Sequence, residues 1–193
     1  ERMSKMCKLD ADKTAVVLGC GMEGLLTVAA LKTLGINKII VIDKESEKSR
    51  AMEFGAWEFI GSHGKNGVAG VKDKIRAAAG DMADAVFICT DSPMGRNVAR
   101  RFMKNSGSIC EMGFLCGWRR TPTARYFEDS MPAGGRFYAA RDYENCMNFL
   151  AKAAEMKLPL YKLITHRYKL EEINEAMWTV VREEGLGIAV FNR

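Results

Sequence analysis

Histidine is scarce in this sequence, and its cysteines form no closely spaced pair. The 193 residues include two histidines and six cysteines, none of them in a C-x-x-C arrangement. Because zinc sites in proteins use Cys and His ligands at short spacings, we predict no metal site within the chain. Cys20, Cys89 and Cys110 lie in or beside apolar runs, where a free cysteine behaves as a small buried hydrophobe. This usage is typical of a reducing compartment, so we expect a cytoplasmic protein.

The sequence also lacks a long hydrophobic run and a concentration of charge of one sign. No apolar stretch approaches the roughly 20 residues that a membrane-spanning helix needs, so no membrane partner is expected. Lys and Arg number 29 against 24 Asp and Glu, a net charge of +5 that is scattered along the chain. Such scatter argues against a nucleic-acid partner. Because the first residue is Glu1 and not Met, we expect the chain to be part of a longer protein.

What the sequence does contain is an alternation of short β-branched runs with longer helical patterns. Hydrophobic residues make up 48% and charged residues 27%, as in an ordinary globular protein. The predicted strands cover 14–19, 38–43, 57–61, 84–90 and 107–114, and the helices between them cover 24–35, 46–54, 71–79 and 94–104. Strands that are apolar on both faces and separated by helices predict an α/β fold, a doubly wound parallel sheet with helices on both faces.

The pattern loosens after Gly113. Residues 116–135 carry turn formers without a clean period, and a strand is expected near Arg136–Ala140. A helix is predicted over 142–156, a second over 170–182, and a strand over 187–192. The first of these helices places five side chains on one apolar face, namely Tyr143, Cys146, Met147, Leu150 and Ala154. We divide the chain into a sheet-bearing domain over 1–141 and a C-terminal helix-strand segment over 142–193.

The stretch VVLGCGMEGLLTVAALKTLG contains a glycine-rich turn between the first predicted strand and the first predicted helix. Gly19, Gly21 and Gly24 form the pattern G-x-G-x-x-G. The first glycine permits a tight turn, the second lets the backbone approach a pyrophosphate, and the third lets the helix pack closely on the strand. The helix N-terminus then offers N–H groups and the positive end of its dipole to phosphates. In this context the motif predicts a Rossmann-type dinucleotide site.

An acidic residue stands where such a site needs one. Asp43 ends the second predicted strand, 19 residues after Gly24, close to the roughly 20 expected for the carboxylate that binds an adenosine ribose. A carboxylate there would repel a 2′-phosphate, which favours NAD over NADP. Two other interpretations stay open at this point: that the glycines only pack strand against helix while Asp43 caps the next helix, or that the turn serves a methyltransferase that binds S-adenosylmethionine.

Several segments together resemble the medium-chain dehydrogenase/reductase family, the zinc-type alcohol, polyol and threonine dehydrogenases. They are VVLGCGMEGLLTVAALKTLG, IIVIDKESEKSRAMEFGAWEFI, ADAVFICTDSP, NSGSICEMGF and LITHRYKLEEINEAMWTVV. Methyltransferases do not share the last of these segments. The resemblance implies that this chain is the NAD-binding domain of an NAD-dependent oxidoreductase, which transfers a hydride between NAD and a small alcohol or carbonyl substrate.

The resemblance also implies which residues bind the cofactor. Lys48 matches a position that commonly contacts the adenosine ribose, although a solvated helix lysine is an equal interpretation. The strand ends at Cys89 and at Met112 line the nicotinamide in the family, largely through backbone groups. The full set expected at the cofactor is Gly19, Gly21, Met22, Glu23, Gly24, Asp43, Lys44, Lys48, Cys89, Thr90, Met112, Gly113 and Phe114.

Three departures from the family pattern bear on function. Glu23 stands where the family usually has a small or apolar residue such as Val, and Ala189 stands where many members carry an Arg or Lys for the pyrophosphate. The family's substrate domain, with its catalytic zinc, precedes the nucleotide-binding domain, so we expect neither catalytic residues nor zinc ligands in this chain and no activity from it alone. The alternative is a non-catalytic nucleotide-binding or assembly module with a degenerate pyrophosphate site. Pairing of two copies is expected through the edge strand near Arg136–Ala140.

Overall fold

The computed structural model of the protein describes residues 9–62, 67–90, 93–111, 142–182 and 185–191. The strands in these ranges are β1 Thr14–Leu18, β2 Lys38–Asp43, β3 Glu58–Gly61, β4 Ala83–Ile88, β5 Met103–Glu111, β6 Ile164–Lys169 and β7 Gly187–Phe191. The α-helices are α1 Met22–Thr33, α2 Lys48–Glu53, α3 Gly67–Ala79, α4 Pro93–Ala99, α5 Asp142–Glu155 and α6 Ile173–Val181. Short 3-10 helices cover Glu45–Glu47, Arg100–Phe102, Leu160–Leu163 and Leu170–Glu172.

The main sheet has five strands in the order β3-β2-β1-β4-β5. Each neighbouring pair is parallel, with Val16 opposite Ile40 on one side and opposite Val86 on the other. All five residues of β1 are buried, as expected of a central strand covered on both faces. The predicted doubly wound α/β sheet is therefore confirmed, and its strand order reverses direction between β1 and β4.

The strands contribute alternate side chains to two hydrophobic cores, one on each face of the sheet. On one face, Val16, Ile40 and Val86 form a buried cluster with Val71 and Ile75 of α3. The opposite face is covered by α1, which contacts β1, β2 and β4, and by α2, which contacts β3. Because the side chains of a strand point alternately to the two faces, a run of consecutive apolar residues is what this arrangement requires.

The predicted helix boundaries differ most from the structure in α3 and α4. Helix α3 begins at Gly67, whereas its first turn was predicted to belong to a glycine-rich loop. The helix predicted over 94–104 ends at Ala99 and passes through a 3-10 turn, and β5 already begins at Met103. Met103 pairs with Ala83 of β4. That long-range pairing, which local periodicity does not report, overrides the helical pattern of the sequence.

Contacts divide the chain into two units, Glu1–Leu158 and Pro159–Arg193. The division falls later than the predicted boundary after residue 141, because α5 contacts α1 and so belongs to the first unit. The strand predicted near Arg136–Ala140, through which two copies were expected to pair, lies outside the described residues and stays a prediction. Across the described part of the chain, no helix is both long enough and apolar enough to cross a membrane.

The apolar face predicted for α5 is present but exposed. Tyr143, Met147 and Leu150 are 66%, 63% and 49% exposed, and Cys146 is exposed as well. The buried residue of this helix is Ala153. Helical periodicity thus identified which side chains share a face, but within the described residues α5 packs through a different one.

The second unit, Pro159–Arg193, contains β6, β7 and α6. The two strands pair in parallel as a separate two-stranded sheet. The Tyr168 hydroxyl lies 2.7 Å from the Thr179 hydroxyl, joining β6 to α6. Large apolar side chains of this unit remain exposed, among them Met177, Trp178, Val180, Val181 and Phe191. The helix predicted over 170–182 begins as the 3-10 turn Leu170–Glu172 and becomes α-helical at Ile173.

Candidate functional site

The predicted site residues that the structure describes lie at the carboxyl edge of the main sheet. Gly19 follows β1, Asp43 ends β2, and Cys89 follows β4. Since β2 and β4 flank β1 on opposite sides, the crevice above β1 is the point where the strand order reverses. In open α/β sheets ligands bind in this crevice, outside the carboxyl ends of the strands.

The glycine turn is packed against the end of β4. Gly19 has a φ of +101°, in the left-handed region that favours glycine. A Cβ atom at Gly19 would lie 2.5 Å from the Cys89 carbonyl oxygen, and one at Gly24 would overlap the Gly19 carbonyl oxygen. The Gly19 N–H donates to the Ile42 carbonyl at 3.0 Å, and the Cys89 N–H donates to the Leu18 carbonyl at 2.8 Å. The first and third glycines are therefore required by packing.

The second glycine has a different surrounding. Among the described residues other than Gly21 and its two chain neighbours, no atom lies within 4 Å of the position that a Cβ on Gly21 would take. Gly21 is the N-cap of α1 and supplies no side-chain hydrogen bond to the first turn. Met22 and Glu23 follow it and are exposed. The space over this helix start is thus open to a ligand, and the helix dipole is positive there.

Asp43 is held against the turn by two backbone hydrogen bonds. Its Oδ2 accepts the Cys20 N–H at 2.5 Å, and its Oδ1 accepts the Lys44 N–H at 2.6 Å. A carboxylate has about four acceptor sites, so each oxygen keeps capacity for a further donor. The contact with Cys20 joins the end of β2 to the glycine turn across the sheet edge. The arrangement can present a fixed carboxylate to vicinal hydroxyl groups.

The two lysines predicted at the site are solvent-facing. Lys44 directly follows Asp43 and is exposed. Lys48 begins α2, and its Nζ lies 3.9 Å from Glu45 Oε1 with both side chains more than half exposed. An exposed pair of this kind fixes a side chain only weakly.

A hydroxyl of α1 contacts the thiol at the end of β4. The Thr27 hydroxyl donates to the Glu23 carbonyl at 2.7 Å and lies 3.6 Å from Cys89 Sγ. Either group can be the donor in the contact between the hydroxyl and the thiol. Burial raises the pKa of Cys89 to about 12; the hydrogen bond with Thr27 opposes this rise, and the Glu23 carboxylate adds to it. The thiol is therefore neutral at physiological pH.

Cys20 has a comparable environment on the other side of the turn. Burial raises the pKa of its thiol to about 12, and the carboxylates of Asp43 and Glu47 add to the rise. A neutral, buried thiol is a poor nucleophile and a poor metal ligand. Among the described residues there is no cluster of three or more potential Cys, His, Asp or Glu metal ligands.

A cavity of about 400 Å³ opens at this edge. Its size falls within the range of roughly 300–1,000 Å³ that is typical of small-molecule sites. It is lined by Leu18, Gly19, Ile42, Asp43, Lys44, Ser62, Val68, Val71, Thr90, Gly95, Val98 and Phe102. The wall is mostly apolar, with polar groups at the strand ends.

The structure places four of the predicted site residues in the wall of this cavity and adds others. Gly19, Asp43, Lys44 and Thr90 line the cavity. Met112, Gly113 and Phe114 lie outside the described residues, so their placement at the site stays a prediction. The apolar wall and Ser62 were not predicted. Ser62 directly follows β3, and the rule that ligands meet the carboxyl ends of parallel strands would have identified it.

Known proteins match this chain over most of its length. The family described as zinc-binding dehydrogenase matches residues 24–152, well over half of the chain. Sorbitol dehydrogenase 1 of Saccharomyces cerevisiae is 29% identical over 166 residues, which cover 83% of this chain and 46% of that protein. The chain thus spans about half the length of the relatives it matches.

Solved structures share the fold. An alcohol dehydrogenase from Thermotoga maritima has a TM-score of 0.83 at 20% identity, covering 98% of this chain and 53% of that one. A short chain alcohol dehydrogenase from E. coli, solved as a complex with NADH, has a TM-score of 0.73 at 20% identity, covering 98% and 54%. Structural likeness at these identities establishes the fold alone, while the family match establishes the relationship. The chain belongs to the zinc-binding dehydrogenase family, as the resemblance of its sequence to the medium-chain dehydrogenases implied.

Proposed function

We propose that this chain is the NAD-binding domain of a zinc-type medium-chain alcohol or polyol dehydrogenase. The observation that carries the proposal is the Asp43 carboxylate, held at the end of β2 by the Cys20 and Lys44 N–H groups beside the glycine turn. A carboxylate and a glycine turn in this relation are the two parts that a dinucleotide site needs. When bound, NAD supplies the carbon that accepts or gives a hydride.

The role of the chain's own residues is to bind and orient the dinucleotide. Gly21 leaves space for the pyrophosphate to approach the start of α1, where free N–H groups and the helix dipole attract it. The Asp43 carboxylate accepts hydrogen bonds from hydroxyl groups of the adenosine ribose. The same carboxylate repels a 2′-phosphate, from which we infer a preference for NAD over NADP. The remaining predicted contacts, from Lys48 at the ribose to Thr90 at the nicotinamide side, belong to this proposal.

We also propose that zinc, together with the alcohol or carbonyl substrate, is bound by a part of the enzyme that this chain does not include. The second unit supports this idea, because Met177, Trp178 and Val181 are each more than half exposed. Side chains of this kind are normally covered. The proposed cover is the catalytic half of the enzyme, so the chain alone should oxidise no alcohol. A cytoplasmic location is retained as a prediction.

One observation favours the second candidate, a non-catalytic module. Glu23 lies in the first turn of α1 and is exposed at the edge where a pyrophosphate would bind. The negative charge of Glu23 would repel the negative charge of a pyrophosphate bound there. The two candidates differ in whether any pyridine dinucleotide binds.

The test is a titration of the chain with NADH and with NADPH, followed by calorimetry and by melting temperature. We expect NADH to bind more tightly than NADPH. In Asp43→Ala, NADH affinity should fall about tenfold or more, since hydrogen bonds to a charged group contribute roughly 1.5–3 kcal/mol. NADPH affinity should fall less or rise, so the preference for NADH over NADPH should be lost. A loosened turn would weaken both ligands alike, which makes the ratio of the two affinities the decisive quantity.

Asp73→Ala is the matched control, since it removes an exposed carboxylate from α3. It should leave both affinities unchanged. A wild-type chain that shows no thermal shift with either dinucleotide at millimolar concentration would identify the non-catalytic module instead. An unchanged affinity ratio in Asp43→Ala would remove Asp43 from ribose recognition.

A further inference from the structure

The position of Glu23 relative to β4 follows from its neighbours on α1. Thr27, one turn further along, contacts Cys89 through its hydroxyl, and a Cβ on Gly24 would lie 3.5 Å from the Cys89 Cβ. This side of α1 therefore packs against the end of β4. Because α1 begins at the carboxyl edge of the sheet and runs back along it, Glu23 lies one turn beyond Thr27 toward that edge. Glu23 is exposed and lies on the β4 side of the crevice.

The two sides of the crevice receive different halves of a dinucleotide. A dinucleotide lies across the point where the strand order reverses, one mononucleotide on each side. Asp43 is on the β2 side and, under the proposed function, takes the adenosine ribose there. The nicotinamide half then extends over β4, which is the side of Glu23 and Cys89.

The charge of the nicotinamide ring depends on its oxidation state. The oxidised ring carries one positive charge and the reduced ring carries none, whereas the pyrophosphate is the same in both forms. A carboxylate on the nicotinamide side attracts the oxidised ring and has no comparable attraction for the reduced one. Any repulsion between that carboxylate and the pyrophosphate affects both forms equally and cancels when their affinities are compared.

We propose that Glu23 is a specificity-determining residue that makes this site bind the oxidised dinucleotide in preference to the reduced one. The inference rests on the proposed function, because it needs a pyridine dinucleotide in the crevice. It gives a role to the position at which this sequence departs from the apolar residue usual in the family. The Glu23 carboxylate also adds, after burial, to the raised pKa of Cys89, which agrees with the packing of this side of α1 on the end of β4.

The experiment measures the dissociation constants of NAD⁺, NADH and ADP-ribose for the 193-residue chain and for Glu23→Gln. For Glu23→Gln we expect the ratio of the NADH to the NAD⁺ dissociation constant to fall about three- to tenfold, the size expected for one charge at partly screened distance. ADP-ribose has no nicotinamide, so its change measures the effect on the pyrophosphate alone. Glu45→Gln removes a carboxylate at the β2 side of the same edge and should leave the ratio unchanged.

The outcomes are distinguishable. If Glu23→Gln strengthens NAD⁺, NADH and ADP-ribose by one common factor, Glu23 acts on the pyrophosphate only and the proposal is overturned. An equal fall of the ratio in Glu45→Gln would also overturn it, because the effect would then come from net charge. If no dinucleotide binds wild type or variant at millimolar concentration, the proposed function fails first. Because Glu23 is exposed, circular-dichroism melting of Glu23→Gln should match wild type.

Discussion

The first unit covers its sheet on both faces, whereas the second unit leaves much of its apolar surface exposed. In the first, Val17, Ile39 and Val86 are fully buried between helices. In the second, the two strands and α6 retain Trp178 and Phe191 at 55% and 50% exposure. Both units pair parallel strands, so the hydrogen-bond pattern is the same and the difference lies in how many layers cover it.

That difference has an energetic consequence. Burying apolar surface contributes roughly 25 cal/mol per Å², and two strands alone rarely bury enough to offset the entropy of ordering them. The first unit resembles a complete folding unit by this standard. The second unit buries less of its apolar surface, which is consistent with the proposed contact to a catalytic half.

The largest expected effect contrasts one phenylalanine from each unit. Phe54 is fully buried, and Phe54→Ala should lower the free energy of unfolding by about 3–5 kcal/mol. Phe191 is half exposed, and Phe191→Ala should change it by no more than about 0.5 kcal/mol. Urea denaturation followed by circular dichroism measures both. Equal losses would show that the second unit is as well buried as the first.

An intermediate effect concerns charge in the first unit. The Asp84 carboxylate accepts one hydrogen bond from the Thr14 N–H and one from the Lys104 ammonium, each at 2.9 Å. Partial burial acts to raise the pKa of Asp84, but these two hydrogen bonds outweigh it, and the pKa is lowered. Because the folded pKa lies below the unfolded one, the stabilisation is present above the unfolded value, about 3.9, and is lost as pH falls through the folded value.

Asp84→Asn should therefore cost about 1–2 kcal/mol at neutral pH, and the gap to wild type should close in acid. Melting temperature as a function of pH is the measurement. Tyr168→Phe is the counterpart in the second unit: it removes an uncharged contact with Thr179 and should cost less, with no such closing of the gap. A difference between Asp84→Asn and wild type that stays constant with pH would contradict the ionic origin.

The smallest expected effect concerns the reactivity of cysteine thiols and involves no change in stability. It distinguishes thiols that are buried from one that is exposed. The thiols of Cys20 and Cys89 are buried and have pKa values raised to about 12, whereas Cys146 is exposed on α5. Because the thiolate is the reactive form, alkylation of Cys20 and Cys89 should be about a hundredfold slower or more than that of Cys146. Mass spectrometry of peptides after timed iodoacetamide treatment measures each site. Fast labelling of Cys89 would mean that the end of β4 opens readily.

The strands of the first unit were predictable because their burial on both faces leaves a direct trace in the sequence. The run KIIVID was predicted as a strand over 38–43, and β2 has these same bounds. A continuous β-branched run has few other stable environments. The end of α4 was not predictable in this way, because it depends on the pairing of Met103 with Ala83, a contact between distant residues.

Exposure was the property that the sequence could not report. The periodicity of α5 identified Tyr143, Met147 and Leu150 as one face, and that face is exposed. A repeat of apolar residues says that a face suits burial, but the partner that covers it need not be nearby. The same reasoning explains α6, whose amphipathic pattern was recognised although its apolar side chains lie open.

The candidate site was predictable where its residues lie a characteristic number of positions apart in the sequence. The spacing from Gly24 to Asp43 indicated the carboxylate beside the turn, and the structure places Asp43 Oδ2 on the Cys20 N–H. Contacts that depend on the approach of two elements, such as Thr27 with Cys89, have no such spacing. Their identification required the packing of α1 on β4.

The Asp84–Lys104 ion pair lies at the amino ends of the strands of the main sheet, which form its amino edge. The Asp43 carboxylate lies at their carboxyl ends, the carboxyl edge. Asp84 holds the start of β1 at Thr14, while Asp43 holds the turn after Leu18. Four residue steps of a strand separate these edges by roughly 13 Å, beyond the distance at which mutational effects usually couple. An engineer can therefore strengthen this domain at the amino edge and alter its ligand preference at the carboxyl edge, and the two sets of substitutions should combine additively.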